Sequence, residues 1–187
     1  MLSPARSVPA ALLALMLAGP LHAQGSETDP GMGTFFYARG ADSNSYGLRY
    51  FFKPPCECEF LTRYNLDPRL GVSVAYWQGL QPDNPHPTMW DVGGHGFLRY
   101  FWHPDLPFQP FAEVALGIHL LSSTQFNTNR DFGTHFQFGS RAGIGAALDA
   151  ARRYEVVLYI EHISNASLAS PNDGITFKGI EFRMALR

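Results

Sequence analysis

Met89-Trp90-Asp91-Val92-Gly93-Gly94-His95-Gly96-Phe97-Leu98-Arg99-Tyr100-Phe101-Trp102-His103 is the stretch on which the fold turns. One parity holds Asp91, His95, Arg99 and His103, and the other holds Trp90, Val92, Leu98, Tyr100 and Trp102. Successive side chains of a β-strand point to opposite faces, so the segment reads as a strand with one polar and one apolar face. Which face lies inside separates two architectures. A soluble sandwich buries the apolar face, whereas a transmembrane barrel turns it outward and keeps a polar interior.

The same division recurs along the chain. Glu113 and His119 oppose Ala112, Val114, Leu116, Ile118 and Leu120; His135, Gln137 and Arg141 oppose Phe136, Phe138 and Ile144. Glu155, Tyr159 and Glu161 oppose Val156, Leu158 and Ile160, and Glu181 and Arg183 oppose Ile180, Phe182, Met184 and Leu186. Acids and bases of both signs thus share one face of successive strands, where a small barrel would join them in its lumen as an ion-pair network. Gly143 and Gly145 have the inward parity of Arg141 and would make room in a tight interior. A solvated outer face would be rich in lysine, yet Lys occurs only at 53 and 178. Charged residues make up 16% of the chain, against about 25% in ordinary soluble domains. Trp90, Tyr100 and Trp102 fall near strand ends, as interfacial girdles require. Strands are expected near residues 33–40, 46–53, 69–79, 89–103, 110–121, 133–148, 152–164 and 174–187. The fold class is therefore all-β, an eight-stranded antiparallel up-and-down transmembrane β-barrel.

At the N-terminus Arg6 precedes the apolar run Ala10-Ala11-Leu12-Leu13-Ala14-Leu15-Met16-Leu17-Ala18, and Leu21-His22-Ala23 supplies a small residue for cleavage. This pattern is a secretory signal peptide, residues 1–23, and the run is shorter than the roughly 20 residues a spanning helix needs. Residues 24–187 then form one barrel domain, destined for the outer membrane of a Gram-negative cell. A net charge of −2 offers no basic face for nucleic acid. Cys56-Glu57-Cys58 would close a very small ring if oxidised, no second ligand pair has zinc-finger spacing, and a loop decoration or intermolecular link is the preferred reading. The seven histidines form no metal-ligand motif, and His95, His103 and His119 are expected to pack and hydrogen-bond on the luminal face.

The candidate chemistry lies in Glu161-His162-Ile163-Ser164-Asn165-Ala166, followed by Pro171-Asn172-Asp173-Gly174-Ile175-Thr176. His162 and Ser164 are two apart on a strand and share the face of Val156, Leu158 and Ile160. Polar groups on a lipid face are costly unless they sit at the rim or serve a function. With both termini periplasmic, the seventh strand runs outward and brings this pair to the outer leaflet. There His162 can act as general base for the Ser164 hydroxyl, and Asn165 can donate to a developing oxyanion. Two polar rim residues without chemistry are the bland alternative.

The runs His162-Ile163-Ser164-Asn165-Ala166 and Pro171-Asn172-Asp173-Gly174-Ile175 resemble the C-terminal signature of the outer-membrane lipid A 3-O-deacylase family (PagL). Pro110-Phe111-Ala112-Glu113 and Phe132-Gly133-Thr134-His135-Phe136-Gln137-Phe138-Gly139 add to the resemblance, which covers about half of the chain. It implies a Ser-His-Glu triad, with no metal or cofactor required, that hydrolyses the ester-linked 3-hydroxyacyl chain at the 3-position of lipid A. Ser164 carries over as nucleophile, His162 as base and Asn165 as oxyanion donor. The family's Gly-Ile-Glu reads Gly174-Ile175-Thr176 here, so a hydroxyl stands at the position of the orienting carboxylate. Thr176 shares the outward parity, Asp173 offers a carboxylate in the preceding turn, and Glu161 and Glu181 point into the lumen.

Two functions stand at this stage: a lipid A esterase, and a non-catalytic or weakly active small outer-membrane barrel that binds lipid or serves structurally. A soluble periplasmic β-protein is a third, distinguished by extraction without detergent. The implied partners are lipopolysaccharide and the outer membrane, with the barrel a monomer or homodimer.

Overall fold

The computed structural model describes residues 31–55 and 59–186, so the expected signal peptide and Cys56 and Cys58 lie outside the described residues. Among the described residues ten strands and one short helix follow in order: β1 (Met32–Gly40), β2 (Ser43–Phe52), α1 (Glu59–Arg63), β3 (Leu66–Gly79), β4 (Thr88–Phe101), β5 (Gln109–Leu121), β6 (Gln125–Phe126), β7 (Arg130–Asp131), β8 (Phe136–Ala147), β9 (Tyr154–Ser164) and β10 (Ile175–Ala185). Eight of them close an antiparallel barrel in the order β1-β10-β9-β8-β5-β4-β3-β2, and β6 and β7 form a small hairpin within the long β5–β8 connection. Each strand therefore pairs with its neighbours in the chain, and β1 closes on β10 from Met32 opposite Ala185 to Arg39 opposite Lys178. Closure leaves no free edge, which a sheet surrounded by hydrocarbon cannot tolerate. The expected strands are present, with ends displaced by a few residues.

The barrel is inside-out relative to a soluble domain. Val114, Leu116, Ile118, Leu120, Ile144, Leu158 and Phe182 are exposed on its outer wall, whereas Arg49, Arg99, Glu113, Arg141, Glu155, Glu161, Glu181 and Arg183 are buried inside. Aromatic pairs mark both ends of the wall: Tyr37 with Tyr46 and Tyr76 with Trp90 at one, Tyr50 with Phe52 and Tyr100 with Trp102 at the other. These are the girdles that anchor a barrel at the two interfaces.

In the lumen a continuous chain of ion pairs runs among buried apolar side chains. Asp67 meets Arg99, which holds Glu155 at 2.8 Å; Glu155 also lies 3.3 Å from Arg183. Arg183 contacts Glu113 at 2.8 Å and Glu181 at 3.3 Å, Arg141 bridges Glu113 and Glu181, and Arg49 continues from Glu181 at 3.1 Å. Burying such charges gains little over an apolar filling, but deleting one partner strands the others without water. Arg183→Ala is therefore expected to lower stability by about 3–5 kcal/mol, measured by urea unfolding of the micelle-embedded barrel against the parent. Glycines create the space: a Cβ on Gly145 would approach Phe111 Cζ to 2.8 Å, and one on Gly143 would approach Val157 Cγ1 to 3.1 Å.

Beyond the ion pairs, one end of the lumen is plugged by apolar side chains. Trp77 sits at its centre, with Phe177 at 4.9 Å between ring centroids, and Phe126 and Phe132 from the β5–β8 connection at 5.8 and 6.0 Å. This plug seats the long connection against the mouth where β9 ends. Two expected luminal histidines are elsewhere. His103 lies exposed beyond the end of β4, because the strand stops at Phe101. His135 lies exposed just before β8, and its Nδ1 is 2.7 Å from the Leu121 carbonyl.

Candidate active site

His162 and Ser164 occupy the last residues of β9, and Thr176 is the second residue of β10. Strand register places Thr176 directly across from His162, and alternation sends all three side chains to the outer wall. His162 and Thr176 are exposed and Ser164 is half-buried. His162 Nδ1 lies 2.9 Å from Thr176 Oγ1. When Nδ1 carries the proton and donates to this hydroxyl, Nε2 is left as an acceptor, the tautomer a general base needs.

Gly174 brings the parts close together. A Cβ built there would lie 2.9 Å from His162 Cε1, 3.1 Å from His162 Nε2 and 3.0 Å from Ser164 Cβ. The imidazole edge and the serine thus flank one glycine, though no hydrogen bond joins Ser164 to His162 among the described residues. Apolar groups surround the pair: Phe138 stands across from Ser164 on β8, and Phe138, Ile160 and Leu168 are 38%, 45% and 70% exposed. Gly174→Ala is expected to push the imidazole from this position and, if the pair is catalytic, to lower kcat about 100-fold with the melting temperature unchanged; steady-state kinetics beside thermal unfolding checks both.

Asn165 departs from its expected place. Alternation turns it inward, it is fully buried, and its Nδ2 donates to the carbonyls of Phe132, Ala169 and Pro171 at 2.8, 3.0 and 3.2 Å. Both amide protons are therefore committed to fastening the β5–β8 and β9–β10 connections to each other, and neither faces an ester at Ser164. Sequence spacing missed Asn172, whose Oδ1 accepts the Asn165 backbone N–H at 2.9 Å. Asp173 does not reach His162: its Oδ2 accepts the Asp131 N–H at 2.9 Å, and Arg130 donates to the carbonyls of Asp173 and Gly174. Glu161 and Glu181 are buried in the lumen, as their parity requires.

A closed eight-stranded antiparallel barrel with an apolar exterior and a charged lumen defines the class: an outer-membrane-type β-barrel. The profile described as lipid A 3-O-deacylase (PagL) matches residues 44–185. The chain belongs to this family. Among solved structures, the outer membrane enzyme PagL superposes with a TM-score of 0.67 at 23% identity, over 81% of this chain and 99% of that one. Neisserial surface protein A gives a TM-score of 0.48 at 10% identity over 83% and 94%. A comparison with curated sequences returns no match.

Proposed function

We propose that the chain is a serine esterase that removes the ester-linked 3-hydroxyacyl chain from the 3-position of lipid A in the outer leaflet. The observation that carries this reading is the His162–Thr176 hydrogen bond beside Ser164, on the lipid-facing rim of a barrel of the deacylase family. With both termini periplasmic, as is usual for outer-membrane barrels, β9 runs outward and the connections 41–42, 80–87, 122–135 and 165–174 face the exterior. His162 Nε2 takes the Ser164 proton, Oγ attacks the ester carbonyl, and the sugar hydroxyl leaves with that proton from the imidazolium. Water then hydrolyses the acyl-enzyme by the same route. The Asn172 side-chain amide, whose NH₂ makes no hydrogen bond among the described residues, supplies the oxyanion donor in place of Asn165. Thr176 holds the tautomer but brings no negative charge to the imidazolium, which makes turnover slow.

Two cations strengthen the substrate assignment. Arg39 and Lys178 are register partners on β1 and β10, both exposed on the outward parity of Thr176. Charges on a lipid face are costly unless they reach an anion at the interface, and the phosphates of lipid A are such anions. The test is mass spectrometry of lipid A from Gram-negative membranes carrying the chain. Loss of one 3-hydroxyacyl chain supports the esterase. Unaltered lipid A around a folded barrel rejects it in favour of a non-catalytic relative, the reading that Thr176 in place of the acid favours.

A further inference from the structure

The inner face of the wall holds a second cluster that the ester chemistry does not use. His95 on β4, His119 on β5 and Glu161 on β9 are 5%, 3% and 5% exposed, and one ligand atom from each lies within 4.8 Å of the other two. His95 Nε2 is 3.3 Å and His119 Nε2 3.9 Å from the same oxygen, Glu161 Oε1. His95 Nε2 and Glu161 Oε1 are within ion-pair distance, but their geometry is not that of a well-aligned hydrogen bond, and His119 Nε2 has no hydrogen-bond partner among the described residues. Buried polar atoms that are poorly partnered are rare, and three of them converging on one point leave donor capacity that a shared occupant would use.

The surroundings prepare them as ligands. His119 Nδ1 lies 3.0 Å from both Asp91 oxygens, a carboxylate–imidazole pairing that leaves Nε2 bare and basic, as behind many metal-bound histidines. Glu161 turns its other oxygen, Oε2, to Arg49 at 3.9 Å, so Oε1 alone faces the imidazoles. Glycines on three strands hollow out the wall for the rings. A Cβ on Gly93 would come 2.7 Å from His95 Cε1, one on Gly117 2.6 Å from His95 Cδ2, and one on Gly139 would overlap His119 Nε2. A cavity of about 10 Å³, bounded in part by Asp91, His119, Tyr159 and Glu161, adjoins the cluster, close to the size that admits one water.

We propose that His95, His119 and Glu161 form a luminal site for one divalent transition cation of the zinc type, with a water in the adjoining cavity as a further ligand. Two imidazoles and one carboxylate are a donor set that such cations favour over magnesium or calcium. The site lies on the opposite face of β9 from His162 and Ser164, so the ion ties β9 across the lumen to β4 and β5 and takes no part in ester cleavage. Its occupant thus stands or falls independently of the proposed esterase activity.

The experiment is refolding of tag-free barrel in detergent with Zn²⁺ or Co²⁺, removal of free metal, and elemental analysis beside the visible spectrum of the cobalt form. One ion per barrel, cobalt bands without a thiolate charge-transfer band, and a melting temperature that rises with free Zn²⁺ are expected. The His95→Gln/His119→Gln barrel should retain less than about a tenth of the metal at the same folded yield; Glu161→Gln, which keeps both imidazoles, should weaken retention and serves if the double variant does not fold. No retained metal in the parent overturns the site, leaving a proton or water as the occupant. Unchanged retention in the folded variants, or thiolate bands from Cys56 and Cys58, places the metal elsewhere and also overturns it.

Discussion

Ser164→Ala is expected to reduce deacylation to the level of membranes that lack the chain. Its hydroxyl is the nucleophile of the proposed reaction, and its Cβ and the imidazole edge of His162 flank Gly174. In serine hydrolases, loss of the nucleophile costs on the order of 10⁶ in kcat. The side chain is half-buried at the rim and no hydrogen bond depends on it among the described residues, so stability should change by less than about 0.5 kcal/mol. Mass spectrometry of lipid A, paired with thermal unfolding of the same preparations, checks both halves. Equal deacylation by variant and parent would remove Ser164 from the mechanism.

Thr176→Glu is expected to change activity in the opposite direction. Thr176 already sits across from His162 and contacts its Nδ1 at 2.9 Å, so the position is right and the charge is missing. An acid that loses its charge while keeping its geometry costs a serine-protease triad about 10⁴ in turnover, which bounds the gain from restoring it. Single-turnover measurements on lipopolysaccharide in micelles would show a faster acylation step in Thr176→Glu. Thr176→Val, which removes the acceptor from Nδ1, should fall below the parent because the useful tautomer is no longer selected. If the Glu variant is no faster than the parent, the orienting group lies elsewhere, and Thr176 only decorates the rim.

Most of the architecture could be read along the chain because alternation is a local property. A strand sends Glu155, Val157, Tyr159 and Glu161 inward and Val156, Leu158 and Ile160 outward whatever its neighbours are, and the burial of β9 follows that parity. Errors came where alternation stops. His103 and His135 have luminal parity by extrapolation, but parity carries no meaning once the chain has left the sheet. Five residues of helix at Glu59–Arg63 and the β6–β7 hairpin were likewise missed, since both lie in connections stabilised by packing instead of by a repeating pattern.

The site divides along the same line. His162 and Ser164 could be read because they lie two apart on one strand, whereas Thr176 came from the family resemblance, and only then did its outward parity agree. Asn165 misled because its neighbour relation to Ser164 is covalent, while its side chain follows the inward parity into a knot of loop carbonyls. The sequence by itself thus determined the strands, their two faces, the barrel and the Ser-His pair on its outer wall, all consequences of period-two geometry between near neighbours. Only the tertiary structure decided the partners across the lumen: which Arg meets which Glu, how Phe126 and Phe132 plug the mouth, and that His95, His119 and Glu161 converge. Those contacts join strands far apart in the chain, and barrel closure and side-chain packing set them, which no local spacing encodes.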